Sequence, residues 1–254
     1  MSGSFDRRGQ LVIGDGRLLT FLGKKRSGKS IMALSFFMSY PGDRIVIDVA
    51  GDDGPSGAGV VDLTGTVEDL PRRWPEHRRG EDGGPMTLRY VPDPGSPTYL
   101  EDMDAVVALA MRHGNTCLLI HEMGDLAQSN RTPAHTRRML RQNRHRRITA
   151  LMAAPRPQTM DPLVLAQSDV VYVFELMNPH DRRRIAESIG WDPSSFDAAV
   201  HDLARHEYLR FDSNEAKPAD DGQDLRLLHV DPLPEELVAR VERYARGQTA
   251  VPTI

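Results

Sequence analysis

The chain has 254 residues, room for one large domain or for a domain with a small appendage. Its net charge of −4 excludes a global attraction to nucleic acid, so any such contact must come from local basic clusters. The lone Cys117 excludes an internal disulfide and suits a reducing cytoplasm, and no apolar run approaches the roughly 20 residues that cross a bilayer.

Met1–Gln10 is polar and lacks the apolar core of a secretory signal. Gln10–Ile13 reads as an edge strand, leading through Gly14-Asp15-Gly16 into an apolar strand at Leu18–Leu22. Gly23-Lys24-Lys25-Arg26-Ser27-Gly28-Lys29-Ser30 then matches G-x-x-x-x-G-K-[ST], and a helix is predicted over Lys29–Ser39. Strand, glycine loop and helix in that order form a phosphate cradle. Backbone N–H groups turn inward at phosphate oxygens, and the helix adds its positive end. Lys29 would reach the β- and γ-phosphates of ATP, and the Ser30 hydroxyl would ligate Mg²⁺. Gly23, Lys24, Lys25, Arg26, Ser27 and Gly28 complete the predicted nucleotide-binding set.

Further strands are predicted at Arg44–Val49, Thr87–Val91, Thr116–His121, Ile148–Ala153 and Val170–Leu176, nearly continuous in apolar character and so covered on both faces. Helices are predicted at Leu100–Arg112 and Pro133–Arg144, which makes the alternation that of an α/β protein with a mostly parallel sheet. Gly51–Gly59 and Arg79–Pro85 read as surface loops. Asp48, at a strand end, would face the nucleotide or a partner, or would simply cap its strand. The basic run Arg72–Arg79 carries Trp74, a packing anchor or a base-stacking residue.

A P-loop alone binds phosphate, whereas hydrolysis needs a group that positions water. Thr116–His121 followed by Glu122 is an apolar strand ending in a carboxylate, and Glu122 is the expected catalytic base beside the γ-phosphate. His121 stands where an Asp usually supports Mg²⁺ through water; it would do so weakly, or be a structural histidine. Two strands lie between the P-loop and Glu122 in the sequence. This fits P-loop ATPases with an additional strand between the Walker A and Walker B strands, rather than small-substrate kinases.

From residue 178 on, helices are predicted at Asp181–Ser188 and Ser194–Arg205, then a hairpin of Tyr208–Asp212 with Leu225–Val230, then a helix at Glu235–Arg246. The expectation is a P-loop three-layer sandwich over residues 1–177 and a small helical and hairpin subdomain over 178–254, a lid or interface, or less simply a winged-helix module. Asp181-Arg182-Arg183-Arg184 opens the first of these helices, near the nucleotide or on the surface.

Arg144 through Pro157, with the segment Ala153-Ala154-Pro155-Arg156-Pro157 after an apolar strand, resembles the HerA/FtsK superfamily, which carries A-T-Q-R-P there. Ile47 to Asp52 is similar to the family's D-P-x-G-E strand end, and Ser168–Phe174 to its closing strand. The resemblance spans roughly Leu18 to Leu176. It implies an ATPase that works as a homo-oligomeric ring, hexameric or pentameric, moving double-stranded DNA, with ATP sites between subunits. Arg144, in a crowd with Arg137, Arg138, Arg141, Arg146 and Arg147, matches the family's trans-acting arginine; the others are DNA contacts or a solvated face.

The short chain looks most like the viral genome-packaging branch, with a capsid vertex or portal protein as partner and a place in the host cytoplasm or virion. A conjugation ATPase of the same family, or a nucleotide-dependent assembly protein with weak hydrolysis, are the alternatives. Two departures bear on hydrolysis: Pro155 stands at the family's γ-phosphate-sensing glutamine, and His121 at its Asp. Gln158 is a candidate replacement for the sensor.

Overall fold

A computed structural model of the chain describes residues 16–51, 54–55, 60–65, 67, 85–129, 131–213, 227–230 and 235–245. The predicted edge strand Gln10–Ile13 and the basic run Arg72–Arg79 lie outside them.

Among the described residues the strands form one nine-stranded sheet. In chain order they are β1 (Leu18–Leu22), β2 (Asp43–Ile47), β3 (Val60–Thr64), β4 (Thr87–Val91), β5 (Thr116–Ile120), β6 (Ile148–Ala154), β7 (Val170–Val173), β8 (Tyr208–Asp212) and β9 (Leu227–Val230). The spatial order is β3-β4-β2-β5-β6-β1-β7-β8-β9. Pairing is parallel from β3 to β7 and antiparallel for β8 on β7 and β9 on β8. In the register, Leu22 lies opposite Ala154 of β6, and Ile120 of β5 opposite Met152 of β6. The strand inserted between the P-loop strand and the acidic strand is thus β6, which follows both in the sequence.

The helices are α1 (Lys29–Ser39), α2 (Tyr99–His113), α3 (Met123–Leu126), α4 (Ala134–Arg146), α5 (Pro162–Gln167), α6 (Pro179–Ile189), α7 (Pro193–His201) and α8 (Glu235–Ala245). They lie on both faces of the sheet, because strand side chains alternate and both sets here are apolar. Leu18, Leu22, Ile45, Ile47, Leu118, Ile120 and Met152 pack with α2, α4, α6 and α7, while Leu19, Phe21, Val46, Leu119, Leu151 and Tyr172 pack against α1 and Val241 of α8. The second face is braced by rings: Phe21 stacks on Tyr172 with centroids 5.1 Å apart, and Phe36 of α1 tilts against both at 5.8 and 5.6 Å. Truncating a fully buried ring such as Phe21 would cost about 3–5 kcal/mol.

Three predicted strands end earlier than expected. Val170–Leu176 stops at Val173, Arg44–Val49 at Ile47 and Thr116–His121 at Ile120. At these ends the chain turns to serve loops: Phe174 N still donates to Leu22 O at 2.7 Å, but the Glu175 carbonyl accepts from Lys24 N at 2.9 Å. Three elements were not foreseen: β3, α3 and α5. The hairpin after residue 207 is no free wing, since β8 pairs with β7 of the central sheet, Val171 opposite Phe211. Residues 178 onward share both apolar cores with the residues before them.

Candidate functional site

The P-loop leaves β1 at the carboxyl-terminal edge of the sheet. Gly23 N donates to Ala154 O at 3.3 Å, and Ser27 N to Lys24 O at 3.4 Å, which folds the loop back on itself. A Cβ at Gly23 would lie 2.6 Å from Ser27 Oγ and 2.7 Å from Phe174 Cβ, so only glycine fits. The loop ends at Gly28, the N-cap of α1, with φ of 109°, where glycine alone is unstrained. No side chain caps α1, and its first turn holds no acidic residue. Its leading amides thus lack the side-chain oxygen that would normally cap them, and they carry the positive helix end. Ser27 Oγ is buried and makes no hydrogen bond in the structure. An orphaned polar atom and an uncapped helix end inside a loop that admits no extra methyl group together fit a phosphate chain.

Lys29 is buried at 7% exposure on the first residue of α1, and Ser30 next to it is half-buried. Lys25 and Arg26 are exposed on the crest of the loop, Arg26 with φ of 65°. Lys24, by contrast, turns sideways, its ammonium paired with Glu175 beyond β7 and 4.0 Å from Met177 Sδ. Among the described residues no three His, Cys, Asp or Glu side chains form a metal cage. A P-loop does not require one, since Mg²⁺ there takes a hydroxyl, substrate phosphates and water. Ser30 fits that part.

Glu122 follows β5 on the same edge of the sheet. It is half-buried, with φ −129° and ψ 74°, and it begins α3. Two strand spacings, about 10 Å, separate β5 from β1 laterally, a gap wide enough for a γ-phosphate and a water. The neighbourhood is acidic: Tyr99 OH is 3.4 Å from Asp125 Oδ2, and the Tyr99 hydroxyl is pushed up to about 12 by burial first and then by Asp125 and Glu122. Asp125, three residues after Glu122, is a second carboxylate here that sequence reasoning passed over. His121 is buried at 3% exposure, its amide held by Ile47 O at 3.2 Å.

Asp48, a candidate nucleotide contact, is engaged elsewhere. It is fully buried, and its carboxylate accepts from Gly51 N (3.1 Å), Gly54 N (3.0 Å), Arg89 Nε (2.9 Å) and Arg89 Nη2 (2.7 Å). It directly follows β2, three strands from β1. Its carboxylate thus holds the backbone just after the strand and one arginine.

Arg144 lies at the opposite edge. Its guanidinium pairs with Asp169, whose other oxygen accepts Leu18 N at 2.8 Å at the start of β1. The length of a five-residue strand, roughly 15 Å, separates it from its own P-loop. It cannot serve the site of its own chain. Its side chain is 70% exposed. Arg137 reaches Thr132 O (3.3 Å) and Arg138 reaches Gln142 (3.0 Å), whereas Arg141, Arg146 and Arg147 are exposed. The sequence of α4 contains no acidic residue at all.

Between the two halves of the site runs the turn after β6, with half-buried Pro155 and exposed Gln158. Its far side is held by Asp181 and Arg184 of α6. The sequence placed these two near the nucleotide or on the surface without choosing; only the fold pairs them with this turn.

No protein-family model matches the chain, and no curated protein matches its sequence. Solved structures do match. The genome packaging NTPase B204 from Sulfolobus turreted icosahedral virus 2, in complex with AMP, shares 17% identity over 87% of this chain and 100% of its own, with a TM-score of 0.62. The same NTPase in complex with ATP-gammaS gives 17% identity, 87% and 99% coverage and a TM-score of 0.63. B204, the DNA-packaging ATPase from Sulfolobus Turreted Icosahedral Virus, gives 19%, 87%, 100% and 0.60. The fold of this chain is therefore the α/β fold of these NTPase structures.

Proposed function

We propose that the chain is an ATPase that hydrolyses ATP with Mg²⁺ and uses the energy to move double-stranded DNA, acting as a genome-packaging ATPase in a homo-oligomeric ring. The observation that carries the catalytic half is the shared sheet edge: an uncapped, glycine-lined helix N-terminus on β1 and α1, and a carboxylate two strands away. In this reading the amides of the loop and Lys29 hold the β- and γ-phosphates. Mg²⁺, held by the Ser30 hydroxyl, would offset charge on the phosphate oxygens. Glu122 accepts a proton from a water whose oxygen forms the new bond to the γ-phosphorus. The bond from that phosphorus to the bridging oxygen breaks, and ADP leaves. Lys25 and Arg26 supply further positive charge from the crest of the loop.

Arg144 supports the ring. A guanidinium on the far edge, in a chain whose own site it cannot reach, is suited to complete a neighbour's site. The acid-free arginine face of α4 supports contact with a polyanion, and duplex DNA is the one proposed. The packaging role rests on the likeness to the B204 structures and on the placement of these groups. A capsid vertex or portal protein is the proposed docking partner, and the host cytoplasm or the virion the place of action. Among the described residues no helix is long and apolar enough to cross a membrane. The test is ATP turnover and particle mass with and without duplex DNA. DNA-stimulated turnover by discrete rings is expected; a monomer whose turnover ignores DNA contradicts the motor reading.

A further inference from the structure

The first two turns of α6 hold two separate pieces of chain at the carboxyl-terminal edge of the sheet. Asp181, 2% exposed, accepts Gln158 N at 3.0 Å. Arg184 donates to the carbonyls of Gln158 (2.9 Å) and Met160 (2.7 Å). Arg182, 9% exposed, donates to Leu176 O (2.7 Å) and Met177 O (3.1 Å) and pairs with Asp197 at 2.5 Å. Arg183, in their midst, points away to Glu187 at 2.8 Å with its side chain 71% exposed.

Both pieces touch the nucleotide site. The turn after β6 starts at Ala154, whose carbonyl takes Gly23 N of the P-loop, and it contacts the acidic side further on. Asp161 N donates to Ala127 O at 2.8 Å, Ser129 N to Thr159 O at 3.3 Å, and a Cβ at Gly124 would lie 2.9 Å from Thr159 Oγ1. The piece after β7 carries Glu175, which holds Lys24 through its carbonyl and its carboxylate. The turn itself is weak. It is one three-residue 3₁₀ turn, Pro157–Thr159, closed by bonds of 3.4 Å (Thr159 N to Arg156 O) and 3.1 Å (Met160 N to Pro157 O). Without outside partners the amide and carbonyl of Gln158 would be left to water, and the turn would drift by more than catalysis tolerates.

We propose that Asp181 and Arg184 are positioning residues for ATP hydrolysis, fixing the turn that carries Gln158 between the P-loop and Glu122, while Arg182 of the same helix holds the segment gripping Lys24. The proposal rests on the ATPase reading above. Neither residue touches the nucleotide; each acts through the backbone of Gln158. The α6–α7 pair therefore moves with the nucleotide site as one body, and any shift of the turn on phosphate loss is passed to α6.

The test is ATP turnover at saturating ATP, affinity for the nonhydrolysable analogue AMPPCP, and thermal unfolding, each measured on the full chain. Arg184→Ala and Asp181→Ala are expected to lower kcat about tenfold or more while leaving AMPPCP affinity within about threefold. Arg184→Lys, which keeps a cationic donor, recovers part of the loss, and Arg183→Ala behaves as wild type. Gln158→Ala shows a similar loss, and combining it with Arg184→Ala adds little, because both act at one turn. Should Arg184→Ala not fold, Arg184→Gln, which keeps the side-chain stem, carries the same comparison. An Arg184 variant with kcat within twofold of wild type overturns the proposal, as does a parallel fall in kcat and affinity or a fully multiplicative double variant. A wild-type chain that binds no AMPPCP overturns the ATPase reading itself, an outcome distinct from wild-type turnover that Arg184→Ala leaves intact.

Discussion

Asp48 and Arg89 form a buried pair across adjacent parallel strands, joined twice, with Nε and Nη2 of Arg89 at 2.9 and 2.7 Å from one carboxylate oxygen. Arg89 also reaches Asp62 of β3 at 3.3 Å, so the pair ties together the three strands at one end of the sheet. Burial works against the charge of Arg89, but its bonds to Asp48 and Asp62 outweigh it and raise its pKa. Removing the Asp48 carboxylate takes the shared acceptor from Arg89 and from the amides of Gly51 and Gly54, while Arg89 keeps Asp62. Asp48→Ala is expected to cost about 1–3 kcal/mol in urea unfolding and to leave AMPPCP affinity within about twofold. A large loss of affinity in a protein of unchanged stability would return Asp48 to the nucleotide site.

The loop's shape depends on the absence of one methyl group. Gly23→Ala places a Cβ against Ser27 Oγ and Phe174 Cβ, both under 3 Å, and Phe174 Cβ, fixed to its backbone, cannot swing aside. AMPPCP affinity is expected to fall more than about tenfold, with global stability reduced by about 1–3 kcal/mol. Calorimetric titration and thermal unfolding check the two parts separately.

The start of α4 is capped from outside the helix. Pro133, its N-cap, offers no side-chain acceptor, and Asp104 of α2 takes His135 N at 3.1 Å, Thr136 N at 2.7 Å and Thr136 Oγ1 at 2.7 Å. Asp104→Ala should lower stability by about 1–2 kcal/mol, measured by urea unfolding. Glu101→Ala, an exposed change on the same helix, should leave it nearly unchanged.

If Arg144 acts on a neighbour, defects can complement. Lys29→Ala and Arg144→Ala proteins are each expected to turn over ATP poorly. An equal mixture that assembles at random should recover about a quarter of wild-type turnover, because one site in four combines an intact P-loop with an intact arginine. No recovery on mixing speaks against a trans role for Arg144.

What the sequence revealed follows from how local each signal is. The interior strands of the sheet were legible because strands buried on both faces, such as Thr116–Ile120, are uniformly apolar. The P-loop was legible because its chemistry needs fixed residue types at fixed spacing. Val60–Thr64 was not, since this edge strand is only partly covered and begins in a glycine-rich stretch. The fate of Asp48 was ambiguous for a different reason: its partner Arg89 is 41 residues away, and a strand-end Asp looks the same whether it faces a nucleotide or an arginine. The same holds for Asp181 and Arg184, whose partners at residues 158 and 160 only the fold brings near. The inserted strand was anticipated as a class feature, but the sequence alone pointed to strands between the two motifs; parallel pairing put β6 there.

The central claim is that the Lys29 loop and Glu122 form one hydrolytic site, and a paired measurement of ATP affinity and single-turnover rate in Glu122→Gln tests it most directly. That variant keeps the shape of the side chain but removes its basicity. ATP should remain bound with affinity within about threefold of wild type while cleavage slows by about a hundredfold or more. Cleavage at the wild-type rate in Glu122→Gln would contradict the account.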